Sequence, residues 1–359
     1  MKALAVTLGL GLTALGASCA LTFDDYPTDE GAGGEGGSTT ATGSATESSS
    51  SSGGQGGGTP EPTCVRTVLA IDQLLVGDIL HPEGWPSPYA WKQYGANIDD
   101  DTTSNDYTMH CTPNSGGSAQ QAFLDGNDGI DNSFGHNLLP VFAGLSADVN
   151  SSITSGNVGY LFDLVGLTAD ANQADITTRF YSAAQLDHDP VFDGSDCWDV
   201  DGASVTDPND VGTAKSVFTG GLLTTNEWRS GLPQTVVLTV QYQGIFVPLT
   251  LHHAMIWAPL TSEHDATEPG AIGQISGVLD TEELVTAVSR YIHTWSPEDC
   301  VNFPNVATAI RQASDIMVDG TQDPGETCNG ISIGLGFTVK RALLGGVGPA
   351  SSLPMVGCR

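Results

Sequence analysis

Apolar and polar residues follow a strand-like rhythm over much of the chain. Residues 158–167 (VGYLFDLVGL) and 176–184 (ITTRFYSAA) are rich in aromatic and β-branched side chains, with a polar stretch between them. That composition predicts two strands. Residues 235–241 (TVVLTVQ) and 244–252 (GIFVPLTLH) flank Tyr242-Gln243 and predict a hairpin. Residues 271–279 (AIGQISGVL) predict a further strand, and the weak alternation over 331–341 predicts a late one.

Near the C-terminus the period changes. Asp280-Thr281-Glu282-Glu283 has the spacing of a capping box, with Asp280 as N-cap and Glu283 three residues on. Behind it Leu284, Val288, Tyr291, Ile292 and Trp295 fall on one helical face. After Asn305, residues Val306, Ala309, Ile310, Ala313, Ile316 and Met317 recur at helical spacing and predict a second helix reaching Met317. Each helix has a single apolar stripe, the pattern of a helix packed on a sheet. With no βαβ alternation and no internal repeat, the expected fold is β-rich: mainly β with two C-terminal helices, and a sandwich or jelly-roll-like core.

The N-terminus is patterned differently. Lys2 precedes an apolar run over residues 3–17, too short to cross a ~30 Å hydrocarbon core comfortably. The run ends in small residues before a cysteine, as a cleaved export signal does. Leu15-Gly16-Ala17-Ser18-Cys19 resembles the lipobox of bacterial lipoproteins, with the usual aliphatic residue one place early. The resemblance implies cleavage before Cys19, lipidation of Cys19 and attachment to a membrane through that lipid anchor. By analogy with the same class, Ala20 in place of Asp implies the outer membrane or cell surface. An ordinary secretory signal is the other reading of the run.

Residues 31–63 hold eleven Gly, seven Ser and six Thr without one Lys or Arg. Such a chain buries too little apolar surface to offset its ordering entropy. As a Gly/Ser coil the ~45 residues before Cys64 would span roughly 35–40 Å. The expected organisation is therefore a signal peptide (1–18), a lipid anchor with a disordered Gly/Ser/Thr linker (19–63), and a disulfide-braced extracytoplasmic domain (64–359).

Charge narrows the partners. The chain has 42 acidic and 11 basic side chains, a net charge of −31, and no basic residue between Lys92 and Arg179. Nucleic-acid binding rests on Lys and Arg neutralising phosphates, so nucleic acid is not an expected partner. With Cys19 assigned to lipid, six cysteines remain: Cys64, Cys111, Cys197, Cys300, Cys328 and Cys358. An even, widely spaced set in an exported protein predicts three disulfides, with fifteen connectivities open.

Evidence for catalysis is thin. Gly330-Ile331-Ser332-Ile333-Gly334 fits G-x-S-x-G, but no histidine follows it and its flanks are a turn and an extended segment, not a strand and a helix. His252 and His253 are adjacent and would point to opposite faces of a regular strand. Asp187-His188-Asp189 could orient an imidazole, without an identifiable nucleophile. Calcium is the better-supported cofactor, because Asp supplies hard oxygen ligands. Asp187, Asp189, Asp193, Asp196, Asp199 and Asp201 crowd into fifteen residues, and Asp125, Asp128 and Asp131 lie in LDGNDGIDNSFG. The latter misses the EF-hand frame, since Leu124 and Gly126 stand where the first ligands belong; Gly129 and Gly135 suit tight turns there. The expected function is a surface-anchored lipoprotein with a binding or structural role, calcium-stabilised, meeting an unidentified extracellular ligand or protein. The alternative is a secreted polysaccharide-directed hydrolase using paired carboxylates.

Overall fold

A computed structural model describes residues 64–102, 107–142 and 144–358. The signal, Cys19 and the linker lie outside the described residues. Ten strands are present: β1 (Arg66–Leu75), β2 (Gly159–Val165), β3 (Asn172–Ala183), β4 (Cys197–Val200), β5 (Ser216–Thr224), β6 (Glu227–Arg229), β7 (Gln234–Tyr242), β8 (Ile245–Pro259), β9 (Gly273–Asp280) and β10 (Gly330–Val347). The longer helices are α1 (Leu145–Thr154), α2 (Thr281–Trp295) and α3 (Phe303–Gln312). The fold is β-rich with a sandwich-like core and two helices near the C-terminus, as the patterning predicts.

The ladder closes on itself. Antiparallel pairings run β1–β2, β2–β3, β3–β5, β5–β6, β6–β8, β8–β9 and β9–β10, and β10 pairs back to β1. Closure removes the unpaired edges that an open sheet would expose. β7 pairs with β8 from Ile245 to Ala254, and β4 runs parallel to the last residues of β10. Inside the ring Leu69, Ile71, Tyr160, Phe162, Phe180, Ile331, Ile333 and Phe337 build the main core. The alternate residues Val68, Ala70, Leu161, Tyr181, Ala342 and Leu344 face the other way and pack a second core with Trp198 and Val200. β1, β2 and β10 are thus apolar on both faces.

A layer formed by residues 76–102 and 107–142 covers the outer face of β9 and β10. Alternation along β10 turns Ile331, Ile333 and Leu335 inward and leaves Ser332, Gly334 and Gly336 under this layer. A Cβ at Gly334 would stand 2.0 Å from the Tyr94 carbonyl oxygen, and one at Gly336 would stand 2.6 Å from the Tyr94 ring. The G-x-S-x-G string is therefore a close-packing motif, small at every second residue where another chain segment lies on the sheet.

The structure adjusts several boundaries. The hairpin turns at Gln243-Gly244, with Tyr242 opposite Ile245, because both turn residues take the positive φ that a two-residue connection needs (49° and 80°). Asp280 caps α2 as predicted, accepting Glu282 and Glu283 N–H at 2.9 Å each. The second helix ends at Gln312, not Met317. Ile316 is buried for a different reason, a bridge to Gly330. The six cysteines pair as Cys64–Cys197, Cys111–Cys328 and Cys300–Cys358.

Candidate functional site

Asp131-Asn132-Ser133 is where the covering layer grips the sheet. The Asp131 Oδ2 accepts the N–H of Ile98 at 2.6 Å and of Asp99 at 3.3 Å. The Asn132 amide donates to the carbonyls of Trp91, Tyr94 and Gly334, each at 3.1 Å, and its oxygen accepts Gly135 N–H at 2.9 Å. Ser133 N–H donates to Ser332 Oγ at 2.8 Å, and Ser133 Oγ donates to the Ala313 carbonyl at 2.6 Å. Ser332 in turn donates both its hydroxyl (2.5 Å) and its N–H (2.8 Å) to the Asp315 carboxylate. Asp131, Ser133, Asp315 and Ser332 are all buried. Burial, with the charges of Asp99 and then Asp315, pushes the Asp131 carboxyl up to about 9. Burial likewise pushes Asp315 up to about 7, against the pull of its Ser332 hydrogen bonds. Burial disfavours the charged form, so both carboxyls are held towards the neutral form. Ser332 has a carboxylate partner but no histidine and no route to solvent, so it is a structural hydroxyl.

Of the three acids in the same stretch, Asp131 points inward while Asp128 is exposed on a turn with φ 54°. Gly129 takes φ +82° as a tight turn requires, whereas Gly135 is needed for space: a Cβ there would meet the Trp91 Cβ at 2.7 Å. In the second acidic loop each buried carboxylate holds backbone. Asp196 accepts Val191 N–H at 3.0 Å and Phe192 N–H at 2.6 Å. Asp201 accepts Ala203 N–H at 2.7 Å and Ser351 N–H at 3.2 Å. Asp199 accepts Gly346 N–H at 2.7 Å, and Asp193 accepts Ser195 N–H at 2.9 Å. Asp187 meets the His188 ring at 2.6 Å, and Asp189 is exposed. Among the described residues no three His, Cys, Asp or Glu side chains are grouped to hold a metal ion.

His252 and His253 sit at an irregularity in β8, where His253 takes φ 50°. His252 Nε2 lies 3.5 Å from Glu283 Oε2, and the His253 ring packs over Gly320. Both are half-buried, so neither is a core histidine.

Sequence patterning did not single out the loop after β1. Trp85 is 70% exposed and Tyr89 67% exposed, four residues apart in a proline-rich segment. The loop under them is tightly held. Leu80 N–H donates to the Trp85 carbonyl at 2.9 Å, Gly84 N–H to the Leu80 carbonyl at 2.8 Å, and Ser87 N–H to the Asp78 carbonyl at 2.9 Å. His81 N–H donates to Gln93 Oε1 at 3.1 Å, and the Tyr94 hydroxyl donates to the Ile79 carbonyl. Lys92 Nζ stands 5.9 Å from the Tyr89 ring centre and 5.5 Å from that of Trp91. The only signal in the sequence was the density of aromatics and prolines over residues 82–94.

Two open clefts flank the barrel. One of about 510 Å³ lies between β8 and α2, lined by Pro248, Leu249, Thr250, Leu284, Ala287 and Arg290. Another of about 370 Å³ is lined by Leu164, Leu167, His264, Asp265 and Arg341. No protein-family model, no curated protein and no solved structure matches the chain.

Proposed function

We propose that the chain is a surface-tethered lipoprotein whose folded domain is a binding module for extracellular polysaccharide, with the Trp85–Tyr89 loop as its contact surface. The observation that carries this reading is two large aromatic side chains left in water on a hydrogen-bonded loop. Exposing them forgoes the burial energy that aromatic side chains usually supply, which suits a surface kept for a ligand. Ring faces of Trp and Tyr offer a large apolar area at low conformational-entropy cost, with a polar handle at the edge. The lipobox-like segment and the Gly/Ser/Thr linker support display on a membrane surface. The acidic pair Asp131 and Asp315 is sealed under the covering layer and so does not serve as the solvent-accessible carboxylate pair of a glycosidase.

The test is retention of the domain, residues 64–359, on a panel of insoluble and gel-immobilised polysaccharides. Wild-type protein is expected to be retained by at least one, and Trp85→Ala and Tyr89→Ala to weaken retention about tenfold, each ~1.4 kcal/mol. Their thermal midpoints should match wild type, because both side chains are mostly solvated. Retention unaffected by either change would sink the proposal, as would a wild type that binds nothing on the panel. The anchor has its own check, the mass of the mature N-terminus, where an unlipidated Cys19 would refute it.

A further inference from the structure

Basic side chains are scarce in this molecule, yet two of them meet at one atom. Asp163 on β2 is directly opposite Arg179 on β3. Its Oδ2 lies 2.6 Å from Arg66 Nη2 and 3.3 Å from Arg179 Nη1. The Asp163 side chain is 2% exposed, whereas those of Arg66 and Arg179 are 32% and 23% exposed. Two guanidiniums and one carboxylate leave an excess of one positive charge in a chain of net charge −31. Each guanidinium has five N–H donors, more than its contacts with Asp163 and, for Arg179, with the Tyr181 side chain take up.

We propose that Arg66 and Arg179 form a binding site for a sulfate or phosphate oxyanion, free or as an ester group on an acidic polysaccharide. Asp163 fixes the two guanidiniums in place from the buried side, and the oxyanion takes the donors on the solvent side. The fork geometry of arginine matches such oxygens in a way lysine does not. The acidic surface elsewhere does not forbid this, because charges beyond a Debye length of about 8 Å are largely screened at physiological salt. The site does not depend on the Trp85–Tyr89 loop, which follows the opposite end of β1 from Arg66.

The experiment is isothermal titration of the domain with sodium sulfate and with sodium phosphate, sodium chloride being adjusted to hold ionic strength constant. Wild type is expected to show saturable binding, and Arg66→Gln and Arg179→Gln to weaken it about tenfold or more. Circular dichroism checks that the variants fold. Should either Gln variant unfold, Arg66→Lys keeps the charge beside Asp163 while losing the fork, and it too should bind several-fold more weakly. A parallel titration with dextran sulfate against dextran assigns the source. Tighter binding to the sulfated polymer than to free sulfate points to a polysaccharide ester, and equal binding per sulfate to the free ion. Heat that never saturates in wild type, or folded Arg variants that bind as wild type does, would overturn the assignment.

Discussion

The backbone N–H of Ser133 donates to Ser332 Oγ at 2.8 Å across 199 residues of sequence. That hydroxyl in turn donates a hydrogen bond to Asp315, so one side chain links the covering layer, β10 and the turn after α3. Replacing Ser332 by Ala would leave a buried N–H and a buried carboxyl oxygen short of a partner. Such a loss costs about 1–3 kcal/mol. Ser332→Ala is therefore expected to lower the unfolding free energy by that amount, read as a lower urea midpoint with little change in slope. A variant as stable as wild type would show that the contact carries no weight.

Stability should fall as pH rises through the neutral range. An aspartate in the unfolded chain titrates near 3.9, whereas Asp131 and Asp315 in the fold are pushed up to about 9 and about 7. Between about pH 4 and pH 9 the native state therefore binds protons that the unfolded state has released. Stability then decreases with pH at up to about 1.4 kcal/mol per unit for each such proton. Asp131→Asn mimics the neutral carboxyl, so its stability should decline less steeply over this window than wild type. Parallel profiles for the two proteins would contradict the assignment of Asp131 as a neutral group.

The Cys111–Cys328 disulfide ties the covering layer to the residue two before β10, closing a span of 217 residues. Removal of a native disulfide costs typically about 2–5 kcal/mol, and the longer the closed loop the larger the entropic share. The double variant Cys111→Ala/Cys328→Ala should lose stability in that range. Hydrogen exchange should accelerate most at Ile98, Asp99 and Ser133, whose amides are held at the interface with the sheet, and least in β2 and β3. Uniform acceleration throughout the barrel would mean that the layer and the ring unfold as one unit.

How much of this was legible in the sequence depended on what each segment packs against. The β7–β8 hairpin alternates and was readable because β7 buries only its even-numbered side chains. β1 was not singled out: Leu69 and Ile71 enter one core while Val68 and Ala70 enter the other, which removes the alternation that marks a strand. α1 has only Leu145, Val149 and Ile153 as an apolar stripe, among serines that read as loop. The acidic stretches were legible as candidate oxygen ligands but not as inward or outward, because Asp131 and Asp128 differ in environment and not in residue type. The Trp85–Tyr89 loop escaped because exposure of an aromatic is a tertiary fact. Composition alone cannot separate a buried Trp91 from an exposed Trp85.

The Asp187–Asp201 loop bears on the role of calcium. A calcium site gathers six to eight oxygens at 2.3–2.6 Å. Here Asp193, Asp196, Asp199 and Asp201 each accept backbone N–H groups, from Ser195, Phe192, Gly346 and Ala203 respectively. Those charge-assisted bonds, each worth about 1.5–3 kcal/mol, already take up part of each carboxylate's lone-pair capacity, and among the described residues no three such side chains are grouped to hold an ion. The thermal midpoint is therefore expected to be the same in millimolar calcium and in chelator at matched ionic strength. Asp196→Asn, in contrast, should destabilise the protein in both buffers alike, because its role is to hold the Val191 and Phe192 amides. A calcium-dependent rise in midpoint that Asp196→Asn abolishes would overturn this expectation and place an ion in the loop.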